Sequence, residues 1–426
     1  MRGSVALKSD ALASHTWRIT CRVCRGALDP ILSLGEHYVS DFPQPGASDG
    51  VRVPLELVMC GACKLLQLTH TVPSEQLYRN YWYRSGTNAT MRDALADIAH
   101  KAEQLVSLQA GDAVLDIGCN DGTLLAAYRT MGVMRIGFDP ARNLLPCSTL
   151  VADVIVPTTF NTEIFRYGGV TLRPRIVTSI AMFYDLEDPN QFVTDVKTVM
   201  AQDGLWVVQM SYLPSMLRQN AFDNICHEHL EYYSLASMEA LLQRHTMQVV
   251  DVELNNVNGG SFRLYIRNED ADISTFADET YRALAAERVE ALRQAEDAAP
   301  REIYANFTHG VKRIKQDVVE FIMRAHGMGQ QVFVYGASTK GNTLLQYFGL
   351  DHKVIGAAAE RNPDKWGRET VGTRIPIISE EEARARKPDY FLVLPWHFVE
   401  EFKDRERDYL RAGGRFIVPM PHFTLI

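Results

Sequence analysis

A chain of 426 residues is longer than a usual single domain, which predicts two or three of them. Its 44 Lys and Arg against 52 Asp and Glu give a formal net charge of −8, which argues against a nucleic-acid partner and for small molecules. No apolar run approaches the ~18 residues that span a bilayer, so a soluble chain with no membrane partner is expected.

The N-terminus, MRGSVALKSDALASHTW, has no continuous apolar core and no clear cleavage site, so it does not read as a secretory signal and a cytoplasmic location is expected. Of the seven cysteines, four form two pairs, Cys21 and Cys24 in CRVC and Cys60 and Cys63 in CGAC. In a reducing compartment, two such knuckles in one short segment point to a tetrahedral thiolate site for structural Zn2+; two pairs of free or redox thiols are the alternative. Four thiolates leave no open position, so the metal is expected to hold the fold and not to catalyse. The gap between knuckles exceeds that of a compact zinc ribbon, which makes PQPGASDGVRVP an excursion. Next, LYRNYWYRSGTNATM carries Tyr81, Trp82 and Tyr83, either packed together or lining a substrate, before helical spacing sets in from Met91.

VLDIGCNDGTLL, from Val114, reads as strand, tight turn, helix, and GFDP follows with Asp139 closing the next apolar run. Only Gly118 and Gly122 are present, with Asn120 and Asp121 between them, so the turn lacks the three glycines of a pyrophosphate-binding fingerprint. Asp116 and Asp121 repel phosphate and suit an amine-bearing ligand, while Asp139 is placed to accept from both hydroxyls of a ribose. The segment resembles motif I and the second-strand acid of class I S-adenosylmethionine-dependent methyltransferases; an ordinary turn of another doubly wound fold is the alternative.

RIVTSI, a helix from Pro189 to Met200, and GLWVVQM continue a parallel sheet with helices on both faces. Ligands sit beyond the carboxyl ends of such strands, which places Met182, Phe183, Tyr184 and Asp185 beside the cofactor. FDNICHEHLEYYS then sets His227, Glu228 and His229 in a row; in an extended stretch the two histidines would share a side and Glu228 would face away. A metal-binding pair, an acid–base role and hydrogen-bonded structural histidines are the readings this leaves. MQVVDVEL and SFRLYIR read as strands joined through NNVNGG, which includes Asn258.

Residues from about Asp272 to His326 read as two helices interrupted at Pro300. YGASTKGNTLL then repeats the strand, glycine turn and helix of LDIGCNDGTLL, and each is followed by a strand ending in an acid, Asp139 or Glu360. Here Lys340 stands between Gly336 and Gly341, so the turn is either a diphosphate cradle or a structural copy.

Zinc knuckles, cofactor turn, FDxIxHEHLxYxS, GGSxR and YGAxxKGxTLL occur in this order over nearly the whole chain. The combination resembles the zinc-containing sugar C-methyltransferases, which add a branch methyl to nucleotide-linked 4-keto deoxysugars. The resemblance implies an α/β chain of three domains: a small zinc-binding domain over 1–75, a class I methyltransferase Rossmann-like domain with linker helices over 76–300, and a C-terminal Rossmann-like domain over 301–426. It implies a nucleotide-linked keto sugar in the cleft between the last two, His229 as general base, Glu228 beside it, and Tyr81 or Tyr83 lining the site. Three departures leave the sugar and the methylated atom open: Cys226 replaces the family's Tyr, Asn258 replaces its His, and MFYDLED stands where it has a His after the fourth strand.

C-methylation requires an acidified carbon. A ketone at carbon 4 acidifies carbon 3, a base removes the proton, and a donor steadies the enolate oxygen. Tyr184 or Tyr232 is the expected donor. An O-methyltransferase on a nucleotide sugar and a catalytically inactive nucleotide-sugar-binding module are the rival readings, and the oligomeric state is left open.

Overall fold

The computed structural model describes residues 15–78, 81–168, 171–300 and 302–426. Most of the stretch read above as lacking a signal, residues 1–14, lies outside the described residues.

At the N-terminal end, β1 (Leu28–Tyr38), β2 (Arg52–Cys60) and β3 (Leu66–Leu68) form an antiparallel sheet. The excursion between the knuckles is the β1–β2 loop. It docks on the C-terminal part of the chain, where Pro43 O accepts from Glu369 N at 2.9 Å and Asp49 pairs with Arg374 at 3.0 Å.

The middle of the chain runs α1 (Ala89–Leu105), β4 (Ala113–Ile117), α2 (Thr123–Ala127), β5 (Met134–Phe138), β6 (Val154–Val156), β7 (Ile176–Ile180), α3 (Pro189–Val199), β8 (Leu205–Ser211), β9 (Glu231–Tyr232), β10 (Met247–Asn255) and β11 (Ser261–Asn268). Seven of these strands make one sheet in the order β10-β11-β8-β7-β4-β5-β6, parallel from β8 to β6 and antiparallel across β11 and β10. Every residue of β4 and β11 is buried, as a strand covered on both faces requires. α3 starts where Asp188 accepts from Gln191 N at 3.1 Å with Pro189 in the first turn. Strand β9 leaves this sheet and pairs with β3, so the N-terminal sheet has the order β9-β3-β2-β1.

Two helices, α4 (Glu279–Asp297) and α5 (Ile303–Gly327), flank Pro300 as expected. α5 buries a stripe of Phe307, Val311, Ile314, Val318 and Ile322 at helical spacing. The last sheet follows with β12 (Val332–Tyr335), α6 (Thr339–Phe348), β13 (Ile355–Glu360), β14 (Ile377–Ser379), β15 (Tyr390–Val393), β16 (Arg415–Val418) and β17 (Thr424–Leu425). Its order is β14-β13-β12-β15-β16-β17, parallel except at β17. The repeated strand, turn and helix is therefore found in both sheets, as β4 and α2 in one and β12 and α6 in the other.

The small N-terminal sheet is wedged between them. Its Leu55, Leu57 and Leu68 share a core with Phe222, Leu230, Val334 and Leu344, while Cys21, Cys60 and Leu65 pack with Tyr184, Trp206 and Tyr233.

Candidate active site

The four knuckle sulfurs lie within 4.8 Å of one another, Cys21 Sγ 3.4 Å from Cys63 Sγ and Cys24 Sγ 3.3 Å from Cys60 Sγ. Sulfurs set about 2.3 Å from a tetrahedral Zn2+ are roughly 3.8 Å apart, so the cage has the right size and the right donors. Contact between Cys21 and Cys63 lowers the first thiol and raises the second, so a single proton is shared unequally between the two sulfurs. A Cβ at Gly26 would stand 3.1 Å from Cys60 Sγ and 3.2 Å from Cys24 Sγ, so a side chain there would press on the cage.

A cavity of about 950 Å³ runs from the turn after β4 to the turn after β12. That is the upper end of the range for one ligand, and it gives room for a cofactor and a substrate together. At one end stand Asp116, Gly118, Asn120, Asp139 and Met182; at the other, Gly336, Ser338, Glu360 and His397; between them, Tyr81, Tyr83, Tyr184, Asp185, Asp223, His229, Asn258 and Lys340.

Gly118 has φ +77, and a Cβ there would sit 3.0 Å from Met182 Cγ, so only glycine lets β7's end close over the turn. Asp139 accepts Asn120 N and Ala141 N, both at 2.8 Å, one on each oxygen. Each oxygen keeps a further lone pair for a ribose hydroxyl, so the residues present fit S-adenosylmethionine. Asp116 is buried, accepts from Thr178 Oγ1 at 2.6 Å, and is pushed by burial up to about 7.

Three expected cofactor residues do not line the cavity. Asp121 accepts from Thr123 N at 3.2 Å, from Thr123 Oγ1 at 2.6 Å and from Gly86 N at 2.8 Å. Gly122 backs onto Val151 and Ser148. Phe183 is fully buried against Phe192, Trp206 and Tyr233. Asn120 lines the cavity, yet its amide also holds Ser85 N at 3.0 Å and Tyr83 O at 3.2 Å. The acidic turn thus clamps the aromatic segment over this end of the cavity.

The HEH stretch is a turn, not an extended strand, so the two imidazoles diverge. His227 is buried and donates to Val53 O of β2 at 2.9 Å; burial lowers it to about 4, and it lies outside the cavity walls. Glu228 is also buried outside the walls, with its carboxyl raised by burial. His229 alone enters the cavity, its ring 4.2 Å from that of Tyr184. Its Nδ1 meets Asn224 O at 2.9 Å; a carbonyl only accepts, so Nδ1 carries the hydrogen and Nε2 the free lone pair. Burial, then the Lys340 charge, lowers the imidazole to about 3, which keeps it neutral near pH 7. Burial first, then Asp185 and Glu228, raise Tyr81 well above its usual value, which makes it a donor and not a base. Tyr232 donates to Asn224 O at 3.2 Å and is not a wall of the cavity, which leaves Tyr184 as the tyrosine beside His229.

Lys340 crosses from the C-terminal turn and donates to Asn224 Oδ1 at 2.7 Å. The ammonium therefore stands beside the His229 loop as well as at the start of α6. Gly336 lines the same turn with φ +85, and a Cβ there would meet Pro395 Cγ at 2.6 Å. Asn258, at φ +52, closes the wall between the two halves. Sequence reasoning did not single out Asn224, Asp223 or His397. Asp223 is fixed by Trp396 Nε1 at 3.2 Å, and His397 is lowered to about 3 by burial and Lys340. Asp223 and Asn224 both lie within the quoted FDNICHEH, and His397 gave no local signal.

Family models match three stretches: "Putative zinc binding domain" at 21–78, "Methyltransferase domain" at 83–252 and "C-methyltransferase C-terminal domain" at 256–421. The C-methyltransferase NovU of Streptomyces niveus is 32% identical over 378 residues, covering 88% of this chain and 87% of that protein. Among solved structures, the N-methyltransferase NodS of Bradyrhizobium japonicum aligns with 43% of this chain and 99% of its own at 12% identity and TM-score 0.33. A methyltransferase from Aquifex aeolicus aligns with 41% and 97% at 14% identity and TM-score 0.29.

Two outcomes follow for the bound groups. Elemental analysis should find about one zinc per chain, and Cys60→Ser should abolish it together with N-terminal folding; full zinc in the variant would contradict the cage. Asp139→Asn should weaken S-adenosylmethionine binding by ~1–3 kcal/mol in calorimetry, the cost of a mismatched buried hydrogen-bond site. Glu360→Gln, on the other sheet, should leave that affinity unchanged.

Proposed function

Because this chain belongs to the C-methyltransferases, and is an S-adenosylmethionine-dependent enzyme with a four-cysteine zinc site, we propose that it adds a branch methyl to a nucleotide-linked 4-keto deoxysugar, at carbon 3, with His229 as the general base. The observation that carries the reading is the tautomer of His229. With Nδ1–H committed to Asn224 O, the lone pair on Nε2 is free in the same cavity as Asp139 and Lys340.

Nε2 takes the proton from carbon 3, and the electron pair of that C–H bond passes into the carbonyl to give an enolate. Tyr184 OH or the Lys340 ammonium stabilises the oxygen that gains charge. S-adenosylmethionine, when bound, supplies an electrophilic methyl group. Asp116, Gly118, Asp139 and Met182 would hold it, and Asn120 keeps Tyr83 over that end of the cavity. The C-terminal turn would take the substrate's diphosphate: Gly336 allows close backbone approach, α6 starts with free N–H groups, and Lys340 adds one positive charge. Charge neutrality of His229 matters as much as position, because an imidazolium accepts no proton.

Product analysis by mass spectrometry over a panel of nucleotide-linked 4-keto deoxysugars is the direct test, and methylation of a sugar without the keto group would favour oxygen as the acceptor. His229→Gln keeps hydrogen bonding but accepts no proton at neutral pH, so methyl transfer should fall by ~100-fold or more with little change in substrate affinity. Solvent deuterium exchange beside the ketone should vanish with it. A second measurement is the pH profile. Lys340 lowers the imidazole below its usual 6.5, so Lys340→Met should raise it and move the acid limb of kcat/KM to higher pH; burial, the larger cause, remains. An unmoved limb would place the titrating group elsewhere.

A further inference from the structure

Arg22 lies between the cysteines of the first knuckle, and its side chain is fully buried. Its backbone N donates to Gln67 Oε1 at 2.9 Å, Nη1 to Leu68 O at 2.6 Å and Nη2 to Thr71 Oγ1 at 2.7 Å, so the guanidinium is oriented by its own domain. Asn190 of α3 holds the same knuckle from the other side, donating to Arg22 O and Val23 O at 3.0 Å each.

From that fixed point the guanidinium reaches two carboxylates of the middle domain. Glu231 Oε1 stands 3.7 Å from Nε, and Glu187 Oε2 stands 3.6 Å from Nη2. Glu231 is fully buried and, among the described residues, neither of its oxygens has a hydrogen-bond partner; burial holds its carboxyl well above the usual range, and the Arg22 guanidinium beside it opposes that rise. Glu231 is two residues beyond His229, in β9, the strand that joins the N-terminal sheet. Glu187 is three residues beyond Tyr184, whose ring packs on His229 and whose carbonyl accepts Leu230 N at 2.8 Å. Leu68 N closes the frame on Leu230 O at 2.9 Å.

We propose that Arg22 is a positioning residue for His229: the zinc knuckle fixes the guanidinium, and the guanidinium fixes the two segments between which the imidazole is set. The inference rests on the reading of His229 as the base. It gives the zinc domain a part in catalysis that needs no metal chemistry, since an imidazole displaced by about an ångström loses much of its effect.

Two variants test it in the full-length, zinc-loaded protein. Glu231→Gln keeps shape and removes the ionisable carboxyl that Arg22 meets; Arg22→Lys keeps the positive charge and loses the planar fork. Zinc content and S-adenosylhomocysteine affinity should stay at the wild-type values. Amide hydrogen exchange across 229–232 and 184–187 should quicken by ~10-fold or more. With a nucleoside-diphosphate-linked 4-keto-6-deoxyhexose as substrate, kcat should fall by ~10- to 100-fold while the KM for cofactor holds. Unchanged exchange and unchanged kcat in Glu231→Gln, the variant that keeps the knuckle intact, would overturn the proposal. So would loss of zinc in step with activity in both variants, which would confine Arg22 to the knuckle. Quickened exchange with unchanged kcat would instead remove His229 as the base, and the proposal with it.

Discussion

The hydrogen bond from His229 Nδ1 to the carbonyl of Asn224 decides what the cavity can do. It sets the tautomer, and through the tautomer the atom on which a proton can be taken. The same residue receives Lys340 on its side-chain oxygen and Tyr232 on its carbonyl, so one asparagine joins His229, the C-terminal domain and the strand leading to the zinc domain. A cleft built from three domains needs such a joint, because loops that close a site by themselves open easily.

Around that joint the burial of charge follows a consistent pattern. Asp185, Asp223 and Glu228 are all raised by burial, His229 and His397 are lowered, and Lys340 is the cation that appears among the causes for each of them. In a low-dielectric cavity one ammonium acts on several groups at once, favouring carboxylates and disfavouring imidazolium. A lysine brought in by the C-terminal domain therefore tunes a histidine of the middle domain, and domain docking and base strength become one property.

The two Rossmann-like halves show how a shared local plan can serve different ends. Asp139 and Glu360 each end a second strand, and each closes its turn with two backbone N–H groups, Asn120 and Ala141 in one case and Ala337 and Asn362 in the other. What differs is what stands beside the acid. Lys365 donates to Ala337 O at 2.8 Å and lies 3.8 Å from Glu360, whereas the middle turn gathers Asp116 and Asp139. The acid of the C-terminal turn thus has a lysine beside it, while the acid of the middle turn has a second carboxyl.

Much of this was legible in the amino-acid order. Ligand spacing within Cys-x-x-Cys is a local property, and so are the strands that carry Asp116 and Glu360, the turns that need Gly118 and Gly336, and the helix break at Pro300. Short-range sterics and hydrophobic period determined these. The fates of His227 and His229 were not legible, because they depend on partners brought by docking: Val53, 174 positions away, takes one, while Lys340, 116 positions from Asn224, reaches the loop that holds the other. Asp121, Gly122 and Phe183 carried the motif but do not line the cavity, since a motif records which residues meet near a turn but not which of their atoms face the opening. Only packing three domains around one cavity decided that, because burial, hydrogen-bond partners and the field of a distant lysine exist only once the sheets are side by side.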